Sequence, residues 1–167
     1  MNARIAVYPG SFDPIHRGHL DLIDRCRPIF DGVVVAVLEN EEKQPLFSVA
    51  DRMAMIRELV GDDGYCRVES FSGLLVEFLD RMRAKTIVRG LRAISDFEYE
   101  FQMALMNRHL NPRVETVFLM PKEEYSYLSS RLVKEVFRLG GNLEGLVPPT
   151  VLAHMARRFG HRDGEPD

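Results

Sequence analysis

The chain has 167 residues, a length suited to one domain, and its 46% hydrophobic content is enough to build a single core. With 22 basic and 25 acidic residues the net charge is −3, which argues against a general nucleic-acid coat and requires any anion site to be local. The longest apolar run, Val33 to Leu38, is far short of the ~20 residues that cross a bilayer, and Cys26 and Cys66 have no Cys-x-x-Cys spacing and follow no secretory leader, so a soluble cytoplasmic protein with free thiols is expected.

In chain order, a strand-like run from Arg4 to Tyr8 opens directly into Pro9-Gly10-Ser11-Phe12-Asp13-Pro14-Ile15-His16-Arg17-Gly18-His19, where two histidines bracket a glycine at the start of a helix. Val33 to Leu38 is continuously apolar, as a central strand covered on both faces should be, and the loop after it carries Lys43. Ser48 followed by Asp51 announces a capped helix whose Val49, Met53, Ile56 and Val60 form a core stripe. Further strands are expected at Arg67 to Ser70, Thr86 to Arg89 and Glu115 to Met120. Between the last two, Ser95 and Glu98 mark another helix start, and Phe97, Phe101, Ala104 and Leu105 read as its core-facing stripe. Leu132, Val133, Val136, Phe137 and Leu139 mark a helix ended by Gly140-Gly141, and Pro148-Pro149 opens a last helix to about Phe159.

Strands alternating with helices predict an α/β fold: a single-domain, Rossmann-like, doubly wound five-stranded parallel sheet with helices on both faces, over residues 1–159. Residues 160–167 have no apolar content and are expected to be a disordered tail.

The chemistry gathers where strands end. The turn after the first strand and the helix behind it suit polyphosphate, through glycine backbone, first-turn amides and the positive end of the helix dipole, with a histidine to donate to oxygens that gain charge. Arg89-Gly90-Leu91-Arg92 leaves the fourth strand with two guanidiniums that either grip phosphate or pair with Asp96 and Glu100. Ser129 and Ser130 either cap a helix, bind phosphate, or do both. A zinc site on His16 and His19 lacks a third ligand at a suitable interval.

The Gly-Ser-Phe-Asp-Pro-Ile-His-x-Gly-His string resembles the signature of the nucleotidyltransferase superfamily. Arg89-Gly90-Leu91-Arg92 with Asp96-Phe97-Glu98-Tyr99-Glu100, and the run from Ser129 to Glu135, are similar to the bacterial phosphopantetheine adenylyltransferase family, and the likeness extends from about Arg4 to Phe159. The resemblance implies transfer of AMP from ATP to 4'-phosphopantetheine, giving dephospho-CoA and pyrophosphate, by direct in-line attack with no covalent enzyme intermediate. It implies catalytic roles for His19, Ser11, Lys43 and Arg92. ATP would be bound by Ser11, Phe12, His19, Gly90, Leu91, Arg92 and Glu100, and by the turn Tyr125, Ser126, Tyr127, Leu128, Ser129, Ser130 and Arg131. The acceptor would be bound by Ser11, Lys43, Leu75, Arg89 and Asn107. Magnesium held mainly by ATP phosphates, a homohexamer, and CoA as a feedback ligand are further implications. One position departs from the common pattern, Arg131, where many members carry serine; the position of His16 is variable in the family and often threonine, so His16 is expected to matter less than His19. Nicotinate mononucleotide adenylyltransferase shares the first motif and is the enzymatic alternative; a nucleotide-binding regulatory module is the non-enzymatic one.

Overall fold

The structure is a computed structural model that describes residues 3–39, 45–92 and 94–160, with backbone alone at 94 and 95. Lys43, the Ser95 side chain of the second expected capping pair, and the tail from 161 onward lie outside the described residues. Five strands form the sheet: β1 (Ile5–Gly10), β2 (Gly32–Leu38), β3 (Cys66–Phe71), β4 (Thr86–Gly90) and β5 (Glu115–Leu119). Six helices accompany them: α1 (Arg17–Cys26), α2 (Val49–Val60), α3 (Leu75–Met82), α4 (Ile94–Leu110), α5 (Ser130–Arg138) and α6 (Pro149–Phe159).

All neighbouring strands are parallel, in the order β3-β2-β1-β4-β5. The winding therefore reverses between β1 and β4, and the carboxyl ends of these strands frame the crevice where ligands bind in open sheets of this kind. Val33–Leu38, expected to be central, is interior but yields the middle place to β1.

Alternate residues of each strand feed two cores. Ala6, Tyr8, Val33, Val35 and Val37 pack with Leu22 and Ile23 of α1, Ile56 of α2, Val133 of α5 and Val151 of α6. Val7, Val34, Ala36 and Ile87 point the other way, against Val76 and Leu79 of α3. A continuous apolar strand such as β2 is stable here because both of its faces are covered.

The helix starts at Ser48 and Pro149 follow local chemistry. Ser48 Oγ accepts from the Asp51 amide at 3.1 Å while the Asp51 carboxylate accepts from the Ser48 amide at 3.3 Å. Pro149 occupies the first turn of α6, where its missing N–H costs nothing, and Gly160 closes that helix at φ 75°, a conformation glycine adopts without strain.

One expected core stripe is overturned. On α4, Phe97, Phe101 and Leu105 are 47%, 48% and 46% exposed, with the two phenylalanine rings stacked at 5.8 Å. The buried positions are Glu100 and Asn107, with Ala104 half-buried between them. The helical period is as expected, but the inward face carries the polar and small residues because Glu100 meets Arg89 of β4. Leu139, expected on the apolar stripe of α5, is also exposed, just past the end of that helix.

Candidate active site

Two cavities open over the carboxyl ends of the strands. The first, about 300 Å³, is lined by the end of β1, the turn into α1, the end of β4 and the start of α5. The second, about 360 Å³, lies between the start of α3 and the stretch of α4 from Tyr99 to Leu110, beside Leu74, Leu75, Met103 and Asn107. Pro9, Gly10, Arg89 and Glu100 line both.

In the first cavity, the backbone of Phe12 turns the chain at φ 48°, a left-handed conformation costly for a residue with a side chain. Packing holds it there: the ring is 1% exposed and meets Tyr8 edge-on at 5.4 Å and His19 at 4.9 Å. The His16 ring stacks on the His19 ring at 3.7 Å. A Cβ at Gly18 would stand 3.1 Å from the His16 ring, so this glycine makes room for an imidazole as well as for ligand.

The His19 Nδ1 accepts from the His16 backbone N–H at 3.2 Å. This bond fixes the tautomer: the ring proton resides on Nε2, leaving that atom as a donor. Burial, then His16, Arg92 and Arg89 in turn, hold the His19 pKa well below the ordinary histidine value. His16 is lowered to about 3, by burial first and by the Arg92 charge second, and neither of its ring nitrogens has a hydrogen-bond partner among the described residues. Both imidazoles are thus neutral at physiological pH.

The α1 start presents fewer free amides than expected. The His16 amide is taken by His19, and the Arg17 amide donates to the Leu146 carbonyl at 3.0 Å. The start of α5 engages its donors differently. Ser129 Oγ accepts from the Leu132 amide at 3.1 Å, which makes it the cap and leaves its hydroxyl proton for a ligand. Ser130 Oγ donates to the Pro14 carbonyl at 2.8 Å, so its proton is committed. Arg131 is exposed, lines the cavity, and has no ion-pair partner among the described residues. Asp21 of α1 accepts from the Lys122 amide at 2.9 Å and so holds the segment leading to this turn against α1.

Both arginines of the β4 exit pair with acids. Arg89 donates to Glu100 through Nε at 2.8 Å and Nη2 at 2.5 Å, and through Nη1 to the Pro9 carbonyl at 2.8 Å. Arg92 donates to the Leu128 carbonyl at 2.6 Å and to Asp96 at 3.2 Å. These bonds aim the guanidiniums rather than silence them, since each retains N–H groups beyond those used.

Residues 7–136 match the family model described as cytidylyltransferase-like. The chain is 55% identical to the phosphopantetheine adenylyltransferase of Heliobacterium modesticaldum, over 93% of each chain. It is 52% identical to that of Geobacter sulfurreducens, over 98% of this chain and 99% of the other. The chain belongs to the phosphopantetheine adenylyltransferase family. Among solved structures, a Vibrio parahaemolyticus protein assigned as a nicotinate-nucleotide adenylyltransferase superposes with a TM-score of 0.67 at 16% identity, covering 98% of each chain, which shows a shared fold.

As a phosphopantetheine adenylyltransferase family member, the chain brings most of its sequence-expected residues to the two cavities. Ser11, Phe12, His19, Gly90, Arg92 and Glu100 line the first, as do Tyr125, Ser129, Ser130 and Arg131. Leu75 and Asn107 line the second, with Arg89 on the shared wall. Four expected ATP residues line neither cavity. Leu91 donates its amide to Leu119, Ser126 Oγ donates to the Glu123 carbonyl, Tyr127 is 59% exposed, and Leu128 is buried with its carbonyl on Arg92. Sequence reasoning passed over Tyr8, which lines the first cavity, and gave His16 less weight than its position there warrants. The strand alternation that buries Tyr8 was the available signal.

Proposed function

We infer that this chain transfers AMP from ATP to 4'-phosphopantetheine, forming dephospho-CoA and pyrophosphate. The observation that carries the reading is the pair of cavities meeting at Arg89 and Glu100, polar and helix-capped on one side and apolar on the other. The first suits a triphosphate, with α5 amides, the Ser129 hydroxyl and Arg131 around it. The second suits a flexible arm with one amide-rich contact, for which Asn107 is placed.

The acceptor phosphate attacks the α-phosphorus in line, and pyrophosphate leaves on the opposite side. The attacking phosphate is already ionised near neutral pH, so alignment and charge stabilisation supply the catalysis. His19 donates from Nε2 to the α-phosphate as its charge grows, acting as a neutral imidazole. Ser11 positions the reacting phosphates, Arg92 offsets charge, Arg89 holds the acceptor phosphate, and Glu100 keeps Arg89 aimed. Lys43 is assigned to the acceptor phosphate on the family likeness alone. Magnesium enters with the nucleotide substrate: among the described residues lining the first cavity Glu100 is the one acid, and Arg89 engages it, so triphosphate oxygens and water would be the ion's ligands. CoA, which carries the same arm as the acceptor, would compete at the second cavity. A homohexamer is the assembly we propose, supported by the exposed apolar face of α4.

A pyrophosphate-release assay with each acceptor tests the reading. Activity with 4'-phosphopantetheine is expected. Activity with nicotinate mononucleotide alone, or ATP binding by calorimetry with no pyrophosphate released for any acceptor, would overturn it.

A further inference from the structure

The turn into α1 and the start of α5 border the first cavity from distant parts of the chain, and the ion pair that joins them lies outside its lining. The Asp13 carboxylate, 5% exposed, accepts from the Lys134 ammonium of α5 at 2.8 Å across a sequence separation of 121 residues. The same carboxylate accepts from the Leu46 and Phe47 amides, at 2.9 Å each. Ser130 of α5 reaches the adjacent Pro14 carbonyl, as described above.

Arg52 of α2 completes the arrangement. It is 2% exposed and has no ion pair among the described residues. Its guanidinium instead donates to three backbone carbonyls: Ser11 at 2.6 Å, Leu38 at 3.1 Å and Phe47 at 3.2 Å. Burial lowers its pKa, a desolvation cost that the nearby Asp13 and Glu39 carboxylates offset only in part. Buried ions are seldom the cheapest way to stabilise a fold, because apolar residues of similar volume often do as well or better. What charged groups add is directional, multi-point placement of the backbone they hold. Here the held atoms are the Ser11 carbonyl and the Asp13–Pro14 step, on the turn that carries Ser11 and leads to His19.

We propose that Lys134, Asp13 and Arg52 are positioning residues for the transfer: the Lys134–Asp13 ion pair sets the separation between the two triphosphate-gripping elements, and Arg52 fixes Ser11. None of the three lines the first cavity, so each acts through residues that do. The proposal rests on the reaction assigned above. In that reaction the α-phosphorus is held from the α1 turn and the departing pyrophosphate from α5, and a small change in their spacing falls on the transition state more than on ground-state binding.

The test is steady-state kinetics and thermal melting of the full chain carrying Lys134→Met or Arg52→Lys, each alone and combined with His19→Ala. Lys134→Met leaves Asp13 its two amide donors, and Arg52→Lys keeps the charge but loses the fork. Each variant is expected to lower kcat about tenfold with KM for both substrates within about threefold, and to cost less than about twofold when His19 is already absent. Equal fold losses in both backgrounds, which a merely structural role would give, overturn the proposal. So does a kcat within twofold of wild type in whichever variant folds, or failure of both to fold. A wild-type chain silent with 4'-phosphopantetheine sinks the assigned reaction and the brace with it; an active wild type beside variants that match it sinks the brace alone.

Discussion

Arg89 and Glu100, eleven residues apart, meet through two parallel donors at 2.8 and 2.5 Å, and this fork is the wall shared by both cavities. The carboxylate is 10% exposed and the guanidinium 32%, so the acid is fixed inside while the base keeps a face toward ligand. Such forked pairs hold orientation as well as charge. Glu100→Gln keeps an acceptor for one donor and loses the second. The expected outcome is a KM for 4'-phosphopantetheine raised several-fold, with KM for ATP nearly unchanged; equal KM values in wild type and variant would detach Glu100 from acceptor binding.

His19→Ala removes the Nε2 donor and leaves the α5 anion site intact. Turnover should drop by ~10²-fold or more, by analogy with loss of one oxyanion donor, while ATP affinity measured by calorimetry changes little. A variant that turns over at the wild-type rate would exclude His19 from the chemistry.

The pH behaviour follows from the depressed histidines. His16 titrates at about 3 and His19 well below its ordinary value, so neither changes charge between pH 6.5 and 8.5. A kcat profile flat over that range is expected; an alkaline loss of kcat with an apparent pKa near 7 would instead require an imidazolium donor. Stability carries the matching sign. In the unfolded chain both rings take up protons near pH 6.5, whereas the folded chain resists protonation until lower pH, so the unfolded state binds more protons in between. Their contribution is complete above about pH 6.5 and is lost as pH falls toward the folded-state values, down to about 3 for His16. Denaturant titrations at pH 7 and pH 5 should show this loss, and His16→Thr should reduce it.

Arg131 sits in the first turn of α5, where a cation opposes the helix dipole. With no partner among the described residues, its cost to the fold is uncompensated until an anion arrives. Arg131→Ser should therefore raise stability by roughly 0.3–1 kcal/mol and weaken ATP binding, with a smaller dependence of affinity on salt. Melting and calorimetry on the same sample would show both changes; a variant that binds ATP as tightly as wild type would contradict the assignment.

The exposed Phe97, Phe101 and Leu105 of α4 bear on assembly. Phe101→Glu should shift the chain toward smaller species in analytical ultracentrifugation. Unaltered sedimentation would place the contact between copies elsewhere.

The local chemistry of this protein is written in its sequence. Strand alternation, the Ser48–Asp51 box, the Ser129 cap and the placement of each motif after a strand depend on residues within a few positions of one another. Such short-range patterns are legible because period and capping act over one or two turns of chain. The α4 stripe shows where this stops: the period was readable, but the face turned inward was chosen by the Arg89 guanidinium on another element. The same holds for Asp13, whose partner lies 121 residues away, and for Arg52, whose guanidinium reaches the Ser11 carbonyl 41 residues earlier. Tertiary structure decided these because a buried charge or ring nitrogen takes whichever partner the fold brings within hydrogen-bond reach, and sequence spacing does not encode that distance.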